Sequence, residues 1–432
     1  MDSEDGFYSG DMNSMFIGDG SMEGFMNALN DLPSQRLHNA INGPLETIKH
    51  LVLDCGASLL YQDPIDYCTA LHLAADAGRS ETVKWLLEAG TPWDIANKMD
   101  QTAGDIALCA GYKKCFKAFL EGAVEQEYGW WWGVREVLTP ENRNWLKIGS
   151  RKRKYDNTND DYLRSWVLYE KPEPHDSNTI AMITKEGTGV MMEWERPLMK
   201  ETARLLCKDM GEGISILNIG FGLGIIDSYF QEYGPANHTI IEGHPQCLQY
   251  MRKNGWYDRP NVRILEGRWQ DFIGPTARRN VKWPPIPGKT VKESQGLGRF
   301  DVVYFDTFQE GYVGHLEILK CVPRLLSGPK AKFSFFHGHS RRDRFAYDVY
   351  TIVASRHAND LGLTTEWTDC WIDPKTMWYS LDEPETGDSD GGLYPYKIPI
   401  SMLAPTVPRH HVPNCGWVAL HQYEKPIQGV ST

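Results

Sequence analysis

Between residues 216 and 226 the chain reads Ile216-Leu217-Asn218-Ile219-Gly220-Phe221-Gly222-Leu223-Gly224-Ile225-Ile226. A short apolar run passes into three alternating glycines and then into a helical pattern that reaches Tyr233. Glycine adopts backbone conformations closed to other residues and carries no Cβ, so such a turn lets the main chain approach a ligand closely. The rest of the C-terminal part has the same rhythm. Apolar runs at 214–219, 238–242, 262–266, 300–306 and 332–337 read as strands, with helical patterns between several of them. That alternation predicts an α/β fold, a doubly wound, Rossmann-like sheet. Two later stretches, 364–372 and 416–423, read as a terminal antiparallel pair, and the Pro-, Gly- and Lys-rich segment 283–297 reads as an inserted loop.

The chain has 432 residues, more than one typical domain. Its N-terminal part carries a second pattern. Thr69-Ala70-Leu71-His72-Leu73-Ala74-Ala75 is echoed 33 residues on by Thr102-Ala103-Gly104-Asp105-Ile106-Ala107, and Gly78 by Gly111 at the same spacing. This period and motif resemble ankyrin repeats, and a generic helical domain is the plainer alternative. About three repeats fit residues 35–123, the outer two degenerate because end repeats face solvent. Residues 1–34, rich in Gly, Met, Ser and Asp, read as a flexible segment. Residues 124–160 read as a connector and 161–432 as the second unit. Trp130-Trp131-Trp132 in the connector needs apolar cover, for which an interface between the units is the natural place.

Charge and cysteine usage exclude several classes. Against 45 Lys and Arg stand 57 Asp and Glu, for a formal net charge of -12. That sign argues against direct binding of nucleic acid and suits a basic ligand. The nine cysteines are scattered with no C-x-x-C pair, which points to a reducing compartment and to no metal site. The start Met1-Asp2-Ser3-Glu4-Asp5 lacks the basic region of a signal peptide, and the longest apolar run, 214–226, is too short and glycine-rich to span a membrane. The expectation is a soluble cytoplasmic protein with no membrane partner. The basic run Arg151-Lys152-Arg153-Lys154 reads either as a solvated linker or as a nuclear signal.

The chemistry-bearing residues gather around the glycines. Twenty residues beyond Gly222 a strand ends in Ile240-Ile241-Glu242. A carboxylate there can hold both hydroxyls of a ribose, because such sheets bind nucleosides at the C-terminal ends of their strands. A dinucleotide fingerprint would place a third glycine at Ile225, so the G-x-G-x-G form points instead to S-adenosylmethionine. After the next strand, Trp269 is placed to stack on an adenine and Gln270 to bond its edge. Asp306 ends a central strand facing the same crevice. The stretch Met191-Met192-Glu193-Trp194-Glu195-Arg196-Pro197 precedes the first sheet strand as a candidate lid. Core packing for Trp269, and surface or capping roles for the acids, are the plainer readings.

These segments, in order, resemble guanidinoacetate methyltransferase. That family's V-M-E-R-W-E-T-P-Y-M corresponds to Val190 through Met199, its E-V-G-F-G-M-A-I to Asn218 through Ile225, and its Y-D-T-Y to Phe305-Asp306-Thr307-Phe308. An ankyrin region fused to such a domain resembles the fungal protein arginine N-delta (type IV) methyltransferases. The resemblance implies methylation of the internal guanidino nitrogen of arginine in a protein substrate, of the ribosomal class. It implies cofactor contacts from Tyr162, Met191, Met199, Phe221, Gly222, Leu223, Gly224, Ile225, Ile226, Glu242, Gly243, His244, Trp269, Gln270 and Asp306. Glu195 and Asp306 would grip the guanidinium as catalytic residues, with His337 and His339 in the substrate loop. Asn218 stands where the family has an acid, His244 where it has Asn, and His337-Gly338-His339-Ser340 where it has a short polar loop. Three readings stay open beside this one: a small-molecule guanidino methyltransferase, an ankyrin interaction protein with an inactive cofactor domain, and a nicotinamide dehydrogenase.

Overall fold

Packing divides the protein into two compact units, Met1–Tyr155 and Asp156–Thr432. The structure is a computed structural model that describes residues 32–133, 159–170, 180–185, 187–275, 277, 283–284, 296–338, 344–372 and 395–405. Among the described residues no helix is long and apolar enough to cross a membrane.

The first unit stacks three helix pairs: α1 (Leu32–Ala40) with α2 (Leu45–Leu53), α3 (Ala70–Asp76) with α4 (Ser80–Glu88), and α5 (Ala103–Cys109) with α6 (Lys113–Gly133). The repeated threonines explain the period. Thr69 caps α3 by accepting from the backbone N–H of His72, whose Nδ1 lies 3.1 Å from the Thr69 N–H. Thr102 and Asp105 close the same reciprocal box on α5. Such boxes satisfy helix-end donors that burial would otherwise orphan. Neighbouring repeats are joined by polar bonds as well as packing. His72 Nε2 lies 3.1 Å from the Gln101 carbonyl, Arg79 donates to the carbonyls of Asn42 and Gly43, and Gln126 donates to those of Leu87 and Thr91. The final helix runs without a break through residues 124–133, into the stretch read as a connector. The side chains of Trp130, Trp131 and Trp132 and the basic run 151–154 lie outside the described residues.

The second unit opens with a short helix, α7 (Asn159–Arg164), and a small antiparallel sheet of β1 (Val167–Glu170), β2 (Ala181–Thr184) and β3 (Gly189–Met192). A 3-10 turn, Glu193–Glu195, leads into α8 (Arg196–Cys207). The main sheet then alternates with helices: β4 (Ser215–Ile219), α9 (Ile225–Glu232), β5 (Asn237–Glu242), α10 (Pro245–Lys253), β6 (Val262–Glu266), β7 (Val302–Phe305), α11 (Gly311–Leu325), β8 (Lys332–Phe335), α12 (Arg344–Asp360), β9 (Leu363–Cys370) and β10 (Tyr396–Leu403). Its spatial order is β6-β5-β4-β7-β8-β10-β9. Strands β4 to β8 are parallel, and β10 runs antiparallel to both its neighbours. The order reverses at β4, which pairs β5 on one side and β7 on the other, and that switch point opens the crevice where such sheets hold ligands.

Two strand assignments differ from the sequence reading. The antiparallel partner of β9 is Tyr396–Leu403; the expected partner, 416–423, lies outside the described residues. Pro399 argues against a strand at 396–403, since it cannot donate to a ladder. It is accommodated because β10 pairs β8 only through Ser401 and Met402. The small sheet also escaped notice: each of its strands is only four residues long, and its register shifts at Met182/Ile183. The main core joins both sheets, with Met182, Met191, Met199, Ile216, Ile226, Phe230 and Tyr304 in one buried cluster.

Candidate active site

The loop after β4 is shaped by its glycines. Gly220, Gly222 and Gly224 all have positive φ, at 93°, 56° and 69°. A Cβ on Gly220 would sit 1.9 Å from the Asp306 carbonyl oxygen, and one on Gly222 would sit 2.7 Å from Met191 Sδ. The turn is thereby pressed between the end of β7 and the end of β3. Backbone bonds tie the ends of β4, β5, β6 and β7 together: Gly220 N–H donates to Ile241, Asp306 N–H to Ile219, and Gly267 N–H to Glu242.

Glu242 is buried at the end of β5 and accepts from the N–H of Phe221 at 2.9 Å and of His244 at 2.6 Å. Burial pushes its carboxyl upward, against the pull of those backbone donors. Asn218 reaches over the turn, donating to the Gly220 carbonyl at 2.8 Å and to both oxygens of Asp227 in the first turn of α9. Asp227 and His238 are fully buried, with His238 Nε2 3.0 Å from Asp227 Oδ1. An acid therefore still stands behind this turn, displaced from position 218 to 227.

Two more carboxylates approach from the other strands. Glu195 ends the 3-10 turn after β3; it is buried and accepts from the Met192 N–H at 3.3 Å. Burial, and then the charge of Asp306, hold its carboxyl well above the usual range. Asp306 follows β7, and its Oδ2 is buried with no hydrogen-bond partner. Its carboxyl is raised to about 7, pushed up chiefly by burial and further by Asp227 against the downward pull of the Tyr304 hydroxyl. Two buried acids, one raised further by the other and that other by Asp227, are poised to take up a cation or a proton.

The remaining expected residues divide into two groups. Met191 accepts from the Leu223 N–H at 3.2 Å and lies against the glycine turn. Tyr162 packs on His244 and Phe308, with ring centroids 4.8 and 5.0 Å away. Gly243 packs against the Gly267 backbone. Ile225 and Ile226 are buried in the core that backs the turn, as is Met199, whose Sδ accepts from Tyr304 at 3.5 Å. His337, by contrast, is enclosed by Tyr347, Trp367 and Phe335 and bonded to Thr351 at 2.9 Å, so its ring packs against α12 and β9. His339 lies outside the described residues.

One residue was not foreseen. Glu310, the residue before α11, accepts from Trp269 Nε1 at 3.0 Å and from Gln270 Nε2 at 3.4 Å. Burial raises its carboxyl while those two donors lower it. The sequence offered one weak cue, an acid at a helix N-terminus, which is ordinarily read as a response to the helix dipole.

The sheet order, the reversed β10 and the glycine turn at the switch point together define a Rossmann-like class I methyltransferase fold, preceded by ankyrin repeats. Family models agree, matching ankyrin repeats over residues 37–127 and guanidinoacetate N-methyltransferase over residues 166–281. Protein arginine N-methyltransferase 2 of Cryptococcus neoformans is 33% identical over 339 residues, covering 74% of this chain and 82% of that one. Its namesake in Saccharomyces cerevisiae is 31% identical over 327 residues, 69% of this chain and 70% of that one. The Aspergillus oryzae protein of the same name is 29% identical over 324 residues, 67% and 71%. Among solved structures, a precorrin-6y C5,15-methyltransferase from Geobacter metallireducens aligns with a TM-score of 0.30 at 16% identity, covering 50% of this chain and 90% of that one, too slight a likeness to carry an argument. The chain belongs to the protein arginine N-methyltransferase 2 family.

Proposed function

We propose that the protein uses S-adenosylmethionine to monomethylate the delta, internal guanidino nitrogen of arginine in a protein substrate of the ribosomal class. The observation that carries this reading is the pair of buried carboxylates, Glu195 and Asp306, beside a turn whose glycines leave no room for a Cβ. The charges acting on them are those of other acids, Asp306 on Glu195 and Asp227 on Asp306. A guanidinium is the complementary ligand, since its planar fork of donors matches carboxylates and it stays charged at any ordinary pH.

The residues fit the cofactor as well. Glu242 would hold the ribose hydroxyls, with Gly243 and His244 beside it. Trp269 and Gln270 would border the adenine. Met191, Met199 and Tyr162, with the turn from Phe221 to Ile226, would enclose the rest. S-adenosylmethionine, when bound, supplies a methyl group already activated as a sulfonium. Asp306 and Glu195 grip the guanidinium from two sides and aim one nitrogen. Asp306, with its orphaned oxygen, accepts the proton that this nitrogen must lose. Orientation supplies much of the rate. The internal nitrogen is favoured because residues 166–281 match guanidinoacetate N-methyltransferase, and that resemblance implies alkylation of the nitrogen bonded to the carbon chain. In arginine that nitrogen is delta.

The test is a methyl-transfer assay with labelled S-adenosylmethionine, offering a ribosomal-protein fraction and guanidinoacetate in parallel, with fragment masses identifying the nitrogen. Delta-methylarginine in protein supports the proposal. Creatine formation would move the activity to small-molecule metabolism, and label only on terminal nitrogens would refute the delta assignment.

A further inference from the structure

Glu310 is absent from the chemistry above, yet the chain goes to some trouble to place it. It lies between Gln309, a non-glycine residue at φ 60°, and Gly311 at φ 62°. Left-handed backbone at a non-glycine residue costs free energy and persists where the surroundings enforce it. Gly314 makes room for the carboxylate, because a Cβ there would meet Glu310 Oε2 at 2.5 Å. The turn that carries Asp306 thus sends a carboxylate back to the turn that carries Trp269 and Gln270. One oxygen accepts from the indole N–H at 3.0 Å and the other from the Gln270 amide at 3.4 Å.

A carboxylate oxygen accepts and does not donate, so a carboxamide facing it presents its NH2 group and turns its own oxygen away. We infer that Glu310 fixes the orientation of the Gln270 amide, so that the site presents an acceptor to the base and selects a 6-amino purine over a 6-oxo purine. The inference rests on the reading that adenine lies beside Trp269 and Gln270. Glu310 is then a positioning residue that sets specificity without touching the reacting atoms. The indole bond matters too, because it occupies the second oxygen and restrains rotation of the carboxylate.

The test is calorimetric titration of the full-length protein with S-adenosylhomocysteine and with S-inosylhomocysteine, its 6-oxo counterpart. The wild-type protein is expected to prefer the adenine compound by roughly tenfold or more, the scale of one mismatched buried hydrogen bond. In Glu310→Gln the new amide accepts from Trp269 and donates to Gln270, which turns over. The preference then falls by roughly tenfold, toward or past equality, with the inosine compound gaining. Glu310→Ala leaves Gln270 to turn either way, and the preference declines without reversing. Equal weakening of both ligands, or an unchanged ratio in a folded variant, overturns the inference, as does a wild-type protein with no preference. Gln270→Ala separates the two layers: if it keeps the full preference, the base is not read at Gln270 and the placement of adenine is wrong, whatever Glu310→Gln does.

Discussion

Replacing Asp306 by Asn removes a charge that the ligand-free fold holds at a cost. The folded protein raises this carboxyl from 3.8 to about 7. At about 1.4 kcal/mol per pH unit, keeping it ionised costs about 4 kcal/mol once the pH exceeds 7. The sign follows from which state binds the proton. Between about pH 4 and about pH 7 the folded protein keeps Asp306 protonated while the unfolded chain ionises, so stability falls with rising pH across that window and is level above it. The Asn variant lacks this slope. Its stability relative to wild type should therefore grow by about 3 kcal/mol from about pH 5 to about pH 8. For a unit of this size that widens the gap in Tm by roughly 5–10 °C. Glu195 acts in the same direction, because the charge of Asp306 is one of the two causes raising its carboxyl. Thermal unfolding at the two pH values gives the stability difference, and single-turnover methyl transfer gives the catalytic one, expected to fall by at least about a hundredfold. A Tm gap that does not change with pH would refute the electrostatic account. Retained turnover would remove Asp306 from the proton-accepting role.

The same titration predicts that kcat/KM for the protein substrate rises with pH through about 7, as Asp306 takes the charge that grips the guanidinium; a flat profile from pH 6 to 8 would count against it. Glu195→Gln should raise KM for the arginine substrate by roughly tenfold or more while leaving the affinity for S-adenosylhomocysteine within about twofold, read by steady-state kinetics and calorimetry. Gly220→Ala forces a Cβ to 1.9 Å from the Asp306 carbonyl at a φ of 93°, so it should cost over about 3 kcal/mol and abolish the stabilisation that S-adenosylhomocysteine confers in a thermal-shift assay. Thr69→Ala should cost the first unit about 1 kcal/mol, seen as faster amide exchange in α3, with cofactor binding unchanged.

The parts legible in the sequence were those written locally. A strand, three glycines and a helix give the turn at 220–224, and threonines 33 residues apart give the caps at Thr69 and Thr102, because each motif is satisfied within a few residues of itself. Asp306 and the stretch carrying Glu195 stood out by their places in the chain, the family resemblance supplied their guanidinium-gripping role, and the effect of Asp306 on Glu195 appears only once β3 and β7 are folded together. Glu310 stayed hidden because its partners are 41 and 40 residues away and its own neighbourhood looks like an ordinary helix start. Asn218 looked like the loss of an acid; the carboxylate is supplied by Asp227, nine residues on, and only the β4–α9 geometry shows that the two act together. His337 was expected in the substrate loop from the family resemblance, and the packing of its ring on Thr351, Tyr347, Trp367 and Phe335 depends on residues of α12 and β9 that no local motif announces.

The helix that opens the second unit has a practical consequence for anyone shortening this chain. Asn159 donates to the Phe308 carbonyl, Asp160 pairs with Arg268, and Tyr162 fills the space between His244 and Phe308. Six residues thus fasten together the turns that follow β5, β6 and β7. A fragment trimmed to residue 166, where the family match begins, would shed that strap and leave three loops to find their places unaided. Weak activity in such a fragment would measure the missing fastening and say little about the repeats removed along with it.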